Sequence, residues 1–295
     1  MKTKVAAYLK LICSMVIFGS IGLFVRNIAL SSPTIALVRA LVGALFLLLI
    51  SLLSKQRLSF ASIRKHFLLL LISGAALGFN WIALFEAYKY ASVAVATLCY
   101  YTAPMMVILL SPVVLKEKLT ANKLVCVAVA VLGMILVSGI SGASGSGIDP
   151  KGILLGLVAA VLYASVVIMN KMQRDIPTFD RTVFQLGTAA LVLLPYCIIG
   201  GSFPQMIPSG ATVLLLITLG IVHTGVAYYL YFSSMEQLPG QTMAIISYID
   251  PVVAVMVSVL ILRENVSWQE LMGAVLILGA AVVSELPFQR KERKP

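Results

Sequence analysis

The sequence predicts an all-α integral membrane protein, ten transmembrane helices arranged as two inverted five-helix repeats. Three observations predict it: apolar runs with little between them, a one-sided placement of basic residues, and a pattern stated twice. The 295 residues are 60% hydrophobic and only 11% charged, with a mean hydropathy of +1.03, far from the mix of a soluble domain. A hydrocarbon core about 30 Å thick needs roughly 20 apolar residues per helix. Ten such runs start near Val5, Pro33, Phe67, Ser92, Asn122, Gly152, Thr178, Ala211, Gln241 and Ser267. Their connections are short, so any function must reside among the helices.

Taken in order, the first run follows lysines as a signal peptide would, but it is long and lacks a small-residue cleavage site, so it reads as a retained span. The second carries Arg39. The third holds Asn80, Trp81 and Glu86, with Gly74 and Gly78 at the GxxxG spacing that lets helices approach closely. The fourth contains Tyr100, Tyr101 and Pro104 and ends at Lys116 and Glu117; the fifth follows from Asn122. The stretch SGISGASGSG, Ser138 to Gly147, then marks a seam. The sixth run opens on a second such pair, Gly152 and Gly156, and the seventh starts at Thr178. The eighth bears His223 and Tyr228, the ninth Tyr248, Asp250 and Pro251, and the tenth leads into a basic tail. The organisation expected is a first repeat over 1–140, a Gly/Ser-rich linker over 141–150, a second repeat over 151–286 and a cytoplasmic tail over 287–295.

A net charge of +11 would suit nucleic acid, but its placement argues against that partner. With the N-terminus in the cytoplasm, only Arg26, Lys89, Lys151 and Arg263 fall on the far side and Arg39 lies within a span. Every other Lys and Arg falls on the side of the termini. That is the positive-inside asymmetry, and it predicts a multi-pass protein of the cell inner (plasma) membrane with both termini cytoplasmic. Cys13, Cys99, Cys126 and Cys197 show no CxxC spacing, so neither a disulfide framework nor a metal site is indicated. No cofactor is expected.

Adding 147 to a residue number maps the first half onto the second without a gap over about forty residues. Gly78 meets Gly225, Phe85 meets Phe232, Tyr101 meets Tyr248, Pro104 meets Pro251, Ser111 meets Ser258, and Lys116 and Glu117 meet Arg263 and Glu264. Shared lipid composition gives chance Leu and Val matches, but not readily the aligned Tyr, Pro and basic-Glu positions, so the chain reads as an internal duplication. Five spans per half put the second copy upside down, and inverted repeats suit alternating access to a midplane site.

The stretches GFNWIALFEAYKYASVAVATLCYYTAPMMVILLSPVVLKEKLT and SYIDPVVAVMVSVLILRENVSWQELMGAVLILGAAVV resemble the EamA family of the drug/metabolite transporter superfamily, bacterial ten-helix exporters and permeases. Each has a mid-helix proline, a Glu at the helix end and a following glycine-bearing helix. The resemblance spans nearly the whole chain and implies transport of a small molecule, with export as its direction. It names no cargo.

Several residues can carry the chemistry. Pro104 and Pro251 each remove an amide donor and clash one turn back, at the carbonyls of Tyr100 and Ser247, so a helix kink is expected at each. Asp250 is an ionisable carboxyl near midspan, costly by about 2.5 to 3.5 kcal/mol on insertion scales, and should face a cavity or a partner. His223 is expected at similar depth, where the two can bind cargo or exchange protons. Arg39 and Glu86 both fall in the outer third, and pairing them would make a gate or hold a zwitterion; Lys89 is a competitor for Glu86. Asn80, Trp81, Tyr100, Tyr101, Tyr228 and Tyr248 complete the expected lining. For each of these residues a packing or bundle-holding role stands as the alternative. Glu117 and Glu264 need only local hydrogen bonding or gating to explain them.

The reading that joins these observations is a secondary transporter, not an enzyme, of small organic metabolites. Amino acids or related compounds come first and cationic drug-like compounds or nucleosides next, with proton coupling open and a monomer or homodimer in the lipid bilayer. Absence of HExxH, GxSxG and Walker sequences disfavours enzymatic or ATP-driven alternatives, although Asp250 with His223 leaves an intramembrane acid/base enzyme as one. A passive channel is the other.

Overall fold

The structure, a computed structural model, describes residues 2–53, 60–116, 120–137, 149–173, 175–204, 207–235, 237–238, 243 and 246–285. The Gly/Ser-rich seam, Glu117, the basic tail and the start expected near Gln241 lie outside these. All regular elements among the described residues are helical, as lipid demands when water cannot satisfy the backbone. Among the described residues seven helices are long and apolar enough to cross a membrane: Val5–Arg26, Ser32–Leu53, Phe67–Tyr90, Val93–Val114, Pro150–Met172, Thr178–Ile199 and Gly210–Ser234. The runs expected near Asn122, Gln241 and Ser267 form shorter apolar helices over Ala121–Val137, Ile249–Leu260 and Trp268–Ser284.

Several of these spans are broken. The first divides into α1 (Lys2–Gly19) and α2 (Ile21–Arg26) at Ser20. Then come α3 (Ser32–Leu53), the short α4 (Phe60–Lys65) and α5 (Phe67–Tyr90). The fourth span divides at Tyr101 and Thr102 into α6 (Val93–Tyr100) and α7 (Ala103–Val114). Pro104 therefore sits in the first turn of α7, where its missing N–H has no intrahelical partner to lose. After α8 (Ala121–Val137), α9 (Pro150–Met172) and α10 (Thr178–Ile199), the eighth span runs as α11 (Gly210–Gly220), a π-helical turn over Ile221–Val226 and α12 (Ala227–Met235). The last helices are α13 (Ile249–Leu260), with Pro251 in its first turn behind Tyr248, and α14 (Trp268–Glu285).

Helix starts follow from local chemistry. Ser92, Asp149 and Ser209 cap α6, α9 and α11 by accepting backbone N–H groups of Val95, Lys151 and Thr212. Ser267 and Glu270 form a reciprocal capping box at α14, each side chain accepting the other's backbone N–H at 3.2 and 3.1 Å. Two helix ends match closely. Lys116 after α7 and Arg263 after α13 both adopt φ 55°, and no other non-glycine residue among those described has positive φ. These positions are related by the 147-residue offset.

The core is assembled by α5, which packs along α9 and α10, with α3 against α10 and α8 against α14. Small residues permit the close approaches. A methyl added at Gly74 would lie 2.6 Å from Thr188 Cβ on α10. Gly156 faces Cys99 just as tightly, and Gly152 faces Ala91. The α3 to π-turn contact relies on Gly43, where an added Cβ would collide with Thr224.

Candidate functional site

Arg39 lies in the first half of α3 with only 3% of its surface exposed, and a buried guanidinium needs partners to offset its lost hydration. One is a face of α5. Trp81 and Phe85 are spaced i, i+4 and so share that face; the guanidinium carbon is 4.2 Å from the Trp81 ring centroid and 5.8 Å from that of Phe85. Such contacts contribute about 0.5 to 2 kcal/mol, more as water is excluded. Another is Thr224, whose Oγ1 accepts from Arg39 Nε at 2.9 Å while its own hydroxyl donates to the Leu219 carbonyl at 3.3 Å. Thr224 belongs to the π-helical turn. Such single turns occur often at functional sites.

Asp250, in the first turn of α13, faces this group from the second half of the chain. The Tyr101 hydroxyl lies within hydrogen-bonding reach of its carboxyl, and Arg39 is within electrostatic range. Tyr88, Tyr100 and Tyr228 stand near both charges. Their rings interlock: Tyr100 meets Tyr101 edge-on at 5.6 Å and Tyr163 at 5.3 Å, and Tyr228 stacks on Phe232 at 5.7 Å. Among the described residues, Arg39 and Asp250 form no ion pair with one another. A guanidinium and a carboxyl therefore share an aromatic interior without direct contact.

The expected pairing of Arg39 with Glu86 is not formed. Glu86 instead accepts from Lys89 Nζ at 2.8 Å and from the Ser32 hydroxyl at 2.7 Å. Glu86 and Lys89 are spaced i, i+3 and share a face of α5, whereas Trp81 and Phe85 present another to Arg39. His223 is also not joined to Asp250: it is 2% exposed, bonds Ser20 Oγ at 3.0 Å and packs on Phe24 at 4.3 Å. Asn80 is fully buried and donates to the Ala159 carbonyl at 2.6 Å, tying α5 to α9 instead of lining the interior. Tyr248 packs against the apolar cluster that α7, α8 and α14 build around Met105, Val127 and Ala281. Sequence reasoning missed Thr224, Tyr88, Phe85 and Tyr163. Tyr88 and Phe85 carried a signal, being aromatic residues in the span whose Asn80, Trp81 and Glu86 were already singled out.

The end of the bundle that carries Arg26 is closed by a tie between the halves. Arg26 forms an ion pair with Glu264 at 3.3 Å and also donates to the Tyr88 and Ala91 carbonyls. Glu264 in turn accepts from the Val93 N–H at 2.9 Å and from the Ser258 hydroxyl. Beside this tie lies a cavity of about 330 Å³ lined by Arg26, Ser32, Ile35, Phe85, Tyr88 and Lys89 among others. Phe85 lines this cavity and also meets Arg39, at 5.8 Å from the guanidinium carbon. At the opposite end, Asp175 binds Lys65 Nζ at 3.0 Å and His66 Nε2 at 2.9 Å. These two hydrogen bonds hold its carboxyl low, at about 2 instead of the ordinary 3.8.

A sequence profile of the EamA-like transporter family matches residues 5–139 and again residues 150–285. The chain is similar to the uncharacterized transporter YxxF of Bacillus subtilis (strain 168), at 31% identity over 291 residues covering 98% of this chain and 93% of that protein. The aromatic amino acid exporter YddG of Ancylobacter novellus is 26% identical over 220 residues, 74% of this chain and 75% of its own length. One solved structure superposes with a TM-score of 0.65 at 23% identity, covering 95% of this chain and 96% of the other. That is a likeness of fold alone.

Proposed function

This chain belongs to the EamA-like transporter family, and on that premise we propose that it is a secondary transporter exporting amino acids or related compounds by alternating access. The observation that carries this reading is the arrangement of Arg39 and Asp250, opposite charges that share a tyrosine-lined interior without a direct ion pair. A zwitterion has the matching polarity: its carboxylate meets Arg39, its ammonium meets Asp250, and an aromatic or apolar side chain rests among Tyr100, Tyr101 and Tyr228. The relative named as an aromatic amino acid exporter supports this cargo class. The two halves are inverted repeats, a reading supported by the shared left-handed backbone of Lys116 and Arg263. Both termini are cytoplasmic in an inner membrane, from the basic-residue asymmetry. Arg26 and Glu264 then close the outer side and Asp175 ties the cytoplasmic side. Protonation of Asp250 would let its charge pass through the occluded state, coupling transport to a proton gradient.

The test is an uptake and efflux screen in proteoliposomes with labelled amino acids, nucleosides and organic amines, each with and without a pH gradient. Selective movement of amino acids, accelerated by unlabelled amino acid on the far side, is expected. Movement of amines or nucleosides alone would contradict the cargo, and flux without trans-stimulation would mark a pore.

A further inference from the structure

The guanidinium of Arg39 has two edges that can grip a carboxylate, one formed by Nε and a terminal nitrogen, the other by the two terminal nitrogens. Thr224 occupies Nε at 2.9 Å. Because the Thr224 hydroxyl donates to the Leu219 carbonyl at 3.3 Å, its oxygen is left as an acceptor, which is the role a guanidinium N–H requires. Trp81 covers one face of the plane at 4.2 Å. Neither terminal nitrogen makes a hydrogen bond among the described residues. We infer that Thr224 and Trp81 are positioning residues that aim the terminal nitrogens of Arg39 as an end-on fork for a carboxylate. The π-helical turn over Ile221–Val226 is the device that brings Thr224 to this place. This inference rests on the reading of Arg39 and Asp250 as the cargo site and specifies the ligand class: a free carboxylate, not its amide or ester, bound bidentate.

The backbone packing favours a fixed Thr224. A side chain at Gly43 would collide with it, and one at Gly225 would collide with the Phe46 ring of α3, so α3 and the turn are locked in register. The guanidinium consequently has a fixed partner at one edge, a ring on one face and a free fork at the other edge. Lysine at position 39 would lack the fork. Serine at position 224 would keep the acceptor, and valine would keep the shape without it.

The chain has two tryptophans, and Trp268 is 69% exposed. In purified Trp268→Phe protein, Trp81 is the sole tryptophan and lies against Arg39, so its emission reports the fork directly. Acetate, 3-phenylpropionate and L-phenylalanine should shift it saturably; acetamide, 3-phenylpropanamide and L-phenylalaninamide should not. In the same background Thr224→Val should weaken carboxylate binding about tenfold, the scale of one lost hydrogen bond to a charged group. Thr224→Ser should restore affinity to within about twofold. Equal response to acids and amides, no response to any carboxylate, or unchanged affinity in Thr224→Val would overturn the inference. If Thr224→Val does not fold, the acid and amide comparison in the parent protein decides. Should amino acids bind at Trp81 in this manner and yet fail to cross proteoliposomes, the transport reading falls while the fork stands.

Discussion

At the scale of single residues, the contacts of Arg39 decide more than its depth does. Depth along a helix was legible in the sequence and placed Arg39 and Glu86 in the same third of the membrane, but depth says nothing about azimuth. Trp81 and Phe85 share the face of α5 that meets Arg39, and Glu86 turns aside to Lys89 and Ser32. Neutralising Arg39 and Glu86 together should therefore give stability losses that simply add, because the two share no partner; a double variant more stable than the worse single one, measured by thermal unfolding in detergent, would restore the pairing. Asp250 was legible as an anomaly, one carboxyl in an apolar run. Asp250→Asn should keep cargo exchange at equal pH while losing the response of net transport to a pH gradient. Retained gradient dependence in proteoliposomes would remove Asp250 from the coupling. Asp175 gives a second pH signature. Its carboxyl is held below the ordinary range by Lys65 and His66, so its contribution to stability is full above about pH 4 and is lost as pH falls toward about 2. The difference in melting temperature between wild type and Asp175→Asn should shrink across that acidic window. A difference that persists unchanged at pH 2 would assign it to another cause.

Among elements, hydropathy located the spans because lipid imposes helix and length together. It could not locate the π-helical turn: its extra residue per turn leaves the apolar composition of α11 and α12 unchanged. Thr224 was missed for that reason. The sequence placed a kink one turn before Pro104 and Pro251, because each removes an amide donor, and the helices restart there at Ala103 and Ile249, whereas Pro112 and Pro195 lie inside α7 and α10. Glycines separate by what faces them. Gly74→Ala should destabilise the α5 to α10 contact by about 1 to 3 kcal/mol, because Thr188 Cβ and the Gln185 carbonyl leave no room. Gly187→Ala, in open space on α10, should stabilise by roughly 0.5 to 1 kcal/mol. The same sign for both in thermal unfolding would show that helix propensity and not packing governs them. Arg26 and Glu264 tie α2 to the segment after α13, so their double-mutant cycle should yield a coupling of about 0.5 to 3 kcal/mol. Additive losses would reduce the tie to a surface contact.

For the molecule as a whole, the internal duplication was the most informative feature of the sequence, and its trace in the structure is the shared left-handed turn at Lys116 and Arg263. The same pattern also breaks its own symmetry where chemistry is needed: Asp250 corresponds to Ala103, and Arg39 has Leu186 at its shifted position. One charge comes from each half, so a change in the relation of the halves changes the distance between Arg39 and Asp250 and with it the fit to a zwitterion. The central claim is that cargo binds between these two residues while the halves alternate. Counterflow of a labelled aromatic amino acid into proteoliposomes preloaded with the unlabelled compound tests it most directly. Wild type should show uptake accelerated by internal cargo, and Arg39→Gln and Asp250→Ala, folded by size-exclusion chromatography, should each lose that acceleration. Uptake indifferent to internal cargo, or full acceleration in both variants, would contradict the account.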